Sequence, residues 1–339
     1  MQRLVLDGPG ALHWEEVPDP VAGPGEAVVR PIAVATCDLD VGVLQGLYPL
    51  EGGYPFGHEG VADVVAVGEG VTRVAAGDRV VVPFQISCGT CGPCRRGRTG
   101  NCAAHPPLST FGLGTMGGLD WGGLLADLAL VPHADAMLVP VPEGIDPVGI
   151  ASASDNIPDG FRAVGPQLAA DPGADVLVIG GDGGPASIGL YAAGLAVALG
   201  AGRVLYVDDR PERRELAARL GADVEEGATR RKVGRFPITV NAGGAEAHLR
   251  CALESTAFDG TCTNVAVLIE DPALPLFSMY SRCCTLHTGR AHVRPAIPQV
   301  LDLVATGRFD PAVVTSRVVD WADAADALAA PPMKLVVRR

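Results

Sequence analysis

Short runs of valine, isoleucine and other apolar residues mark the first 150 positions as a β-rich region. The runs Glu26–Ile32, Gly60–Val67 and Asp78–Pro83 predict strands, because β-branched residues favour an extended backbone. Turn signals rich in glycine and proline, such as GPGE and GEGV, separate the runs. The pattern therefore predicts an irregular, barrel-like β domain.

Near Ile150 the pattern changes, and apolar runs begin to alternate with helical segments. ADVLVIGG, from Ala174, predicts a buried strand, and a glycine-rich loop then leads into a helix over Ile188–Leu199. The strand Arg203–Val207 and the amphipathic helix PERRELAARLGA follow. This alternation predicts right-handed βαβ units and a parallel sheet. It continues in three later segments, Ile238–Asn241, Leu249–Leu253 and Thr261–Leu268.

The length of 339 residues suits two domains, each large enough to bury its own core. We expect residues 1–150 to form the first domain and residues 151–290 the second. Residues 291–339, with a predicted helix over Ile297–Thr306 and a closing β segment over Lys334–Val337, should return to the first domain.

Composition and charge exclude several classes of function. Hydrophobic residues make up 48% of the chain and charged residues 19%, which is typical of a globular protein. The formal net charge of −13 disfavours nucleic acid and anionic membranes as partners, since both attract basic surfaces. No apolar stretch approaches about 18 residues, and the N-terminus lacks the apolar core of a signal peptide. We therefore expect a cytoplasmic protein whose partner is a small molecule.

Four of the nine cysteines form a compact motif, CGTCGPCRRGRTGNC, with the spacing C-x2-C-x2-C-x7-C. Two residues between successive thiolates let them face one metal ion, and a short return loop supplies the fourth ligand. An iron–sulfur cluster is the competing interpretation, but its fourth cysteine usually lies closer and precedes proline. The motif predicts a closed structural zinc site that does no chemistry, formed by Cys88, Cys91, Cys94 and Cys102.

Several further motifs, spread over nearly the whole chain, support a family resemblance. They are Cys37 followed by Asp40, the GHE of Gly57–Glu59, the GDRV of Gly77–Val80, the four-cysteine lobe at 88–102, Asp208 in the βαβ region and the closing Lys334–Val337. In this combination the chain resembles the zinc-dependent medium-chain dehydrogenase/reductase superfamily, which includes the alcohol dehydrogenases. The resemblance implies an α/β protein in which a GroES-like irregular β-barrel domain is joined to a Rossmann domain with a doubly wound parallel sheet.

A catalytic zinc is also implied by the resemblance. Cys37 and His58 match two family ligands, and Asp155, within SASDNIPDG, matches the third. Aspartate at this position, in the pattern S-D-x-x-P-x-G, is most similar to the glutathione-independent formaldehyde dehydrogenases. Glu59 would be an exchangeable or supporting carboxylate, and Asp40 would accept the second N–H of His58. Zinc bound in this way lowers the pKa of an alcohol ligand, which prepares hydride transfer to a nicotinamide.

The usual proton path of the family is missing from this sequence. Relatives have serine or threonine two residues after the first cysteine, where this chain has Leu39, and Gly42 stands where a relay histidine is common. Another proton carrier (Asp38, Thr36 or Tyr48), direct access of water, or a different reaction would each explain the change. Members without the relay hydroxyl include reductases of activated C=C or C=N bonds, so such a reductase is the alternative to an alcohol dehydrogenase.

A glycine-rich turn, VLVIGGDGGPASIG, predicts the cofactor site. Backbone N–H groups at the start of a helix bind a pyrophosphate well. We expect the site to include five glycines, Gly180, Gly181, Gly183, Gly184 and Gly189, in a turn about four residues longer than the family's. The unusual length leaves open a protein that keeps the scaffold but binds a ligand without catalysis.

Asp208, at the end of the next strand, predicts NAD as the cofactor. A carboxylate there accepts the ribose hydroxyls of NAD and repels the extra phosphate of NADP. Arg210 and the arginines of PERR keep NADP as the less favoured choice. Arg294 matches a position that often contacts the pyrophosphate in relatives.

Phe84 and Trp121 match positions that line the substrate cleft in relatives, and such an aromatic wall favours an uncharged alcohol or carbonyl substrate. The resemblance also implies a homodimer or homotetramer. Four further cysteines are expected to be small core residues: Cys251, Cys262, Cys283 and Cys284.

Overall fold

The computed structural model describes residues 1–47, 52–114, 120–181 and 187–339. The chain forms two compact units. The first comprises Met1–Pro158, Ala291–Ala305 and Thr315–Arg339, and the second comprises Asp159–Arg290 and Thr306–Val314. The first boundary lies eight residues beyond the expected residue 150, because a 3₁₀ turn over Ala151–Ser154 packs against strands of the first unit.

The described residues form sixteen strands. They are β1 Gln2–Gly8, β2 Ala11–Glu16, β3 Ala27–Ala35, β4 Tyr54–Pro55, β5 Glu59–Val67, β6 Arg79–Val82, β7 Ala129–Val131, β8 Val139–Pro140, β9 Val176–Gly181, β10 Val204–Asp208, β11 Asp223–Glu225, β12 Phe236–Asn241, β13 Thr256–Asn264, β14 Thr285–Thr288, β15 Arg317–Asp320 and β16 Leu335–Arg338.

The same residues contain ten α-helices. They are α1 Asp38–Leu44, α2 Gly92–Arg95, α3 Ala134–Met137, α4 Asn156–Ala170, α5 Ser187–Ala198, α6 Pro211–Arg219, α7 Glu246–Ser255, α8 Leu276–Ser281, α9 Val293–Ala305 and α10 Ala324–Ala329. Among these described helices, none combines the length and apolar character needed to cross a membrane.

The first unit is built on β-sheet. A seven-stranded sheet has the order β15-β16-β3-β5-β6-β8, with β7 also paired to β3, and a smaller sheet has the order β2-β1-β4. The pairs β3–β5 and β5–β6 are antiparallel. Alternate apolar residues of these strands point inward and form one core with Phe56, Phe111 and Leu124. This architecture is the predicted irregular β domain.

The second unit contains a six-stranded parallel sheet in the order β11-β10-β9-β12-β13-β14. All six residues of β9 and all five of β10 are buried, as expected for strands covered on both faces. The strand order reverses direction between β9 and β12, which is the point where Rossmann domains bind ligands. The predicted doubly wound α/β fold is therefore confirmed.

Two of the four cysteines expected in the core belong to it. Cys251 and Cys262 are fully buried in the second unit, and Cys284 is partly buried. The expectation is wrong for Cys283, which is exposed in the turn between α8 and β14 with φ of 56°. The turn conformation, rather than hydrophobicity, decides its exposure.

Candidate active site

The four cysteines of the 88–102 lobe converge on one point. Their Sγ atoms lie within 4.8 Å of one another, and the backbone N–H of Cys91 donates to Sγ of Cys88 at 3.4 Å. Burial opposes ionisation of Cys88, but hydrogen bonds from Thr90 and Cys91 outweigh it and lower the pKa of this thiol to about 6. Four sulfurs in this arrangement fit a tetrahedral zinc ion and complete its coordination.

A second cluster joins residues from three distant segments of the first unit. Cys37 lies between β3 and α1, His58 and Glu59 lie at the start of β5, and Asp155 follows the 3₁₀ turn Ala151–Ser154. Their ligand atoms lie within 4.8 Å of one another, and all four residues are buried. The three predicted ligands and the predicted supporting carboxylate are thus brought together.

Local structure holds Cys37 in place. It is the N-cap of α1: the backbone N–H of Leu39 donates to its Sγ at 3.3 Å, and its own N–H donates to Oδ2 of Asp40 at 2.9 Å. A capping box of this kind fixes the first turn of a helix. The sulfur therefore has a defined position although α1 has only seven residues.

Two carboxylates lie on opposite sides of the His58 ring. Nδ1 is 3.3 Å from Oδ1 of Asp40, and Nε2 is 3.4 Å from Oδ2 of Asp155. Burial opposes protonation of the imidazole, but Asp40, Asp155 and Cys37 outweigh it and raise the pKa of His58. Asp40 therefore lies beside Nδ1 of the ring, on the side away from Asp155, and its role as acceptor of the second N–H stays a prediction.

The donor types of this second cluster fit a divalent metal ion. Neither ring nitrogen of His58 has a hydrogen-bond partner within the described chain. Burial, and then the charge of Asp155, raise the pKa of the Cys37 thiol. A buried thiol, imidazole and carboxylates are costly to hold together without a cation, and zinc accepts all three ligand types.

Lys334 and Asn156 extend the cluster, and both were missed by sequence reasoning. The Nζ of Lys334 donates to Oε2 of Glu59 at 2.8 Å and to Oδ1 of Asn156 at 2.9 Å. Asn156 Nδ2 donates to Sγ of Cys37 and to Oδ2 of Asp155, each at 3.3 Å. A lysine within the buried closing segment, where a charge needs a partner, was the signal available in the sequence.

Glu59 lies between the metal cluster and Lys334. Burial raises the pKa of its carboxyl group to about 7, although Lys334 lowers it. Glu59 also accepts the backbone N–H of Asn156 at 3.3 Å. Both Glu59 oxygens thus have partners within the chain, which holds the carboxylate beside the cluster.

The structure bears differently on the residues proposed as proton carriers. The Thr36 hydroxyl accepts the backbone N–H of Leu335 at 3.0 Å, so it is engaged within the chain. Tyr48 lies outside the described residues. Leu39 packs in an apolar group with Phe84, Leu113 and Val293. The side of the cluster where relatives carry the relay hydroxyl is therefore apolar here.

The two aromatic residues predicted for the substrate cleft have different surroundings. The Phe84 ring centroid is 5.5 Å from that of His58, which places it beside the metal cluster. Trp121 packs edge-on against His105, with ring centroids 5.1 Å apart. The structure thus places Phe84 beside the metal cluster, whereas the ring that Trp121 contacts is that of His105.

The glycine-rich turn is described in part. Gly180 and Gly181 end β9, whereas Gly183 and Gly184 lie outside the described residues. A Cβ on Gly189 of α5 would lie 2.8 Å from Cβ of Ala242, so this glycine permits close packing of the helix on the sheet. That packing fits the third glycine of a dinucleotide-binding turn.

Two other predicted cofactor ligands have hydrogen-bond partners within the chain. Asp208 ends β10 but is fully buried, and its carboxylate accepts hydrogen bonds from Tyr206 and from the backbone of Arg210. The guanidinium of Arg294 donates to the carbonyl of Ala136 at 2.9 Å within the first unit. Both residues thus have intrachain partners, and their contacts with the cofactor stay predictions.

Comparison with known proteins agrees with the geometry. Residues 23–143 match the alcohol dehydrogenase GroES-like domain. The chain is 32% identical over 321 residues to a probable zinc-binding alcohol dehydrogenase of Mycobacterium tuberculosis. The aligned region covers 91% of this chain and 80% of that protein. It is 30% identical over 237 residues to a glutathione-independent formaldehyde dehydrogenase of Pseudomonas aeruginosa, covering 66% of this chain and 58% of that protein.

Solved structures give the same result. An alcohol dehydrogenase from Thermus sp. ATN1 has a TM-score of 0.87 and 30% sequence identity, over 100% of this chain and 99% of that one. The resemblance inferred from the motifs is confirmed: the chain belongs to the zinc-dependent medium-chain dehydrogenase/reductase superfamily and is an alcohol dehydrogenase-like oxidoreductase.

Proposed function

We propose that this protein transfers hydride between an uncharged alcohol or carbonyl substrate and a nicotinamide dinucleotide at a zinc ion. The observation that carries the proposal is the convergence of Cys37, His58 and Asp155 within 4.8 Å, with Glu59 beside them. Three protein ligands of these types leave a fourth zinc position for a substrate oxygen. A binding protein without catalysis gains little from an open position of this kind.

The residues around the metal ligands have separate tasks. When bound, zinc supplies the charge that polarises the substrate oxygen, and the nicotinamide accepts or donates the hydride. Asp40 fixes the His58 ring, and Asn156 donates to both Cys37 and Asp155. Lys334 holds Glu59. These contacts pre-organise the ligands, so little rearrangement is required when substrate binds.

A reductase of an activated C=C or C=N bond is the second candidate. The apolar group of Leu39, Phe84, Leu113 and Val293 favours it, because this group replaces the polar route by which an alcohol proton leaves in relatives. Water that reaches the substrate oxygen directly would preserve alcohol chemistry. The first candidate is preferred because the relatives from Mycobacterium tuberculosis and Thermus, which this chain matches over most of its length, are named as alcohol dehydrogenases.

Steady-state kinetics tests the proposal. Zinc-loaded protein should reduce NAD or NADP with primary and secondary alcohols, and should oxidise the reduced cofactors with the matching aldehydes and ketones. Cys37→Ala should lose this activity and remain folded, as judged by circular dichroism, whereas Cys283→Ala, which changes an exposed cysteine, should keep both activity and fold. Turnover limited to enals or imines would establish the second candidate. Undiminished alcohol oxidation by Cys37→Ala would contradict the zinc assignment.

We further propose that the protein is a homodimer joined through the second unit. Strand β14 lies at one edge of the parallel sheet and is largely exposed. Nearby segments expose large apolar side chains, namely Val267, Ile269, Leu276, Phe277 and Tyr280. An exposed edge strand beside apolar side chains is suited to pairing with a second copy. Light scattering should give twice the chain mass, and Phe277→Lys should reduce it.

A reducing compartment suits the protein. All nine cysteines fall within the described residues and none forms a disulfide. Reduced thiols at the two clusters are required for metal binding, which supports the cytoplasm as the proposed location.

A further inference from the structure

One buried asparagine contacts three of the four residues of the second metal cluster. Asn156 is the first residue of α4 and has an exposed fraction of 0%. Its side-chain Nδ2 donates to Sγ of Cys37 and to Oδ2 of Asp155, each at 3.3 Å. Its backbone N–H donates to Oε1 of Glu59 at 3.3 Å. The side chain and the backbone of one residue thus reach both anionic ligands and the carboxylate beside them.

Lys334 determines which way the amide of Asn156 points. The buried Nζ of Lys334 donates to Oδ1 of Asn156 at 2.9 Å. An ammonium group has donors and no acceptor, so only the amide oxygen can face it. With Oδ1 turned to Lys334, Nδ2 is turned to Cys37 and Asp155, and its two N–H groups match two acceptors. A reversed amide would place its oxygen against a thiolate and a carboxylate, and its N–H groups against an ammonium.

The contacts of Nδ2 bear on the charge of the metal ligands. The Sγ of Cys37 and the carboxylate of Asp155 are close enough to share one metal ion, and they repel each other when both are ionised. A donor bonded to both groups offsets this repulsion and limits their separation. A hydrogen bond to a ligating sulfur also draws electron density away from the bond between sulfur and metal. Asn156 therefore acts both on the spacing of the ligands and on the electronic character of the thiolate.

We propose that Asn156 is the positioning residue of the second zinc site. Its amide holds Cys37 and Asp155 at the separation that one zinc ion requires, and Lys334 keeps the amide in the orientation that allows it. The inference rests on the proposed function, because it concerns the zinc ion of that reaction. Loss of a group that is bonded to metal ligands reduces metal affinity by about 10–100-fold. We expect a loss of this size at the second site and none at the four-cysteine lobe.

Competition with a chelator of known zinc affinity measures the second site in the full-length protein. Asn156→Leu keeps the approximate size of the side chain and removes both N–H donors, so the zinc dissociation constant should rise by about 10–100-fold. Metal analysis should still find the zinc of the four-cysteine lobe. Asn241→Leu is the matched control, because Asn241 is also fully buried and its Nδ2 also donates two hydrogen bonds. It should leave the zinc affinity within about twofold.

Cobalt(II) in place of zinc gives a readout that a purely structural role would not change. Charge transfer from the Cys37 sulfur to cobalt produces an absorption band, and the difference from Cys37→Ala isolates it from any band of the lobe. Loss of the N–H donor raises the energy of the sulfur electrons, so Asn156→Leu should move this band to longer wavelength. Lys334→Met should move it in the same direction, because the amide then loses the group that orients it. Asn241→Leu should leave the band in place.

The outcomes separate this inference from the proposed function. If circular dichroism shows that Asn156→Leu does not fold, Asn156→Ser decides, since a hydroxyl has one proton and can donate to only one of the two ligands. Unchanged zinc affinity, or an unchanged cobalt band, in a folded Asn156 variant would overturn the inference and leave the proposed function intact. An unchanged band in folded Lys334→Met would overturn the part assigned to Lys334. A single zinc ion per chain in the unchanged protein would overturn the inference and the proposed function together.

Discussion

The Nζ of Lys334 lies 2.8 Å from Oε2 of Glu59, and both side chains have an exposed fraction of 0%. The two residues are 275 positions apart in the sequence. Their contact connects the closing strand β16 to β5, beside the ligands of the second metal cluster. This ion pair therefore links the completion of the first unit to the geometry of its candidate active site.

We expect Lys334→Met to lower the free energy of unfolding by about 3–5 kcal/mol, because it leaves the Glu59 carboxylate buried without its partner. Urea unfolding of the zinc-loaded protein measures the change. The double variant Lys334→Met/Glu59→Gln should recover part of the loss, since it removes the uncompensated charge as well. A loss below about 1 kcal/mol in the single variant would show that the pair is not required for folding.

Asp40→Asn should reduce kcat/KM for alcohol oxidation or the affinity for zinc by about 10–100-fold. The amide keeps the shape of the side chain, but it orients the His58 ring less strongly than a carboxylate does. Asp63→Asn is the control, because Asp63 pairs with Arg79 in an exposed ion pair on β5. Equal activity of the two variants would argue against an orienting role for Asp40.

Thr36→Val should leave kcat for alcohol oxidation within about twofold at each pH tested, because Thr36 is buried and its hydroxyl is hydrogen-bonded to the backbone of β16. The same variant should be less stable by about 1–3 kcal/mol, since it leaves that backbone N–H without an acceptor. Kinetics across a pH series and urea unfolding measure the two effects. A large fall in kcat without loss of stability would instead identify Thr36 as the proton carrier.

Cys94→Ala should remove one zinc ion per chain and lower the melting temperature by roughly 5–10 °C, because the four-cysteine lobe loses the ion that holds it together. Differential scanning calorimetry and metal analysis on the same sample measure both quantities. Cys251→Ala serves as the control for loss of a buried thiol outside the lobe and should keep its zinc. If Cys94→Ala retains its zinc content, the lobe is not a metal site.

The sites that could be predicted are those whose residues lie close together in the sequence or match a motif of the family. The cysteines at 88–102 identify their site by spacing alone, and Cys37, His58 and Asp155 were placed by resemblance. Lys334 was missed as a partner of Glu59 because an ion pair across 275 positions leaves no local pattern.

Asp208 shows what a motif does not reveal. Its position at a strand end matches the motif of a ribose ligand, and the motif gives no sign that the Tyr206 hydroxyl, two residues earlier, donates to its carboxylate. Whether a motif residue is available to a ligand depends on its packed neighbours, which only the folded structure provides. The exposure of Cys283 has the same origin, since a turn backbone decides it.

The zinc content of purified protein tests the central claim most directly. Inductively coupled plasma mass spectrometry, on chains dialysed against metal-free buffer, should give two zinc ions per chain for the unchanged protein and one for Cys37→Ala. A single zinc ion in the unchanged protein, or equal content in both, would contradict a second metal site at Cys37, His58 and Asp155.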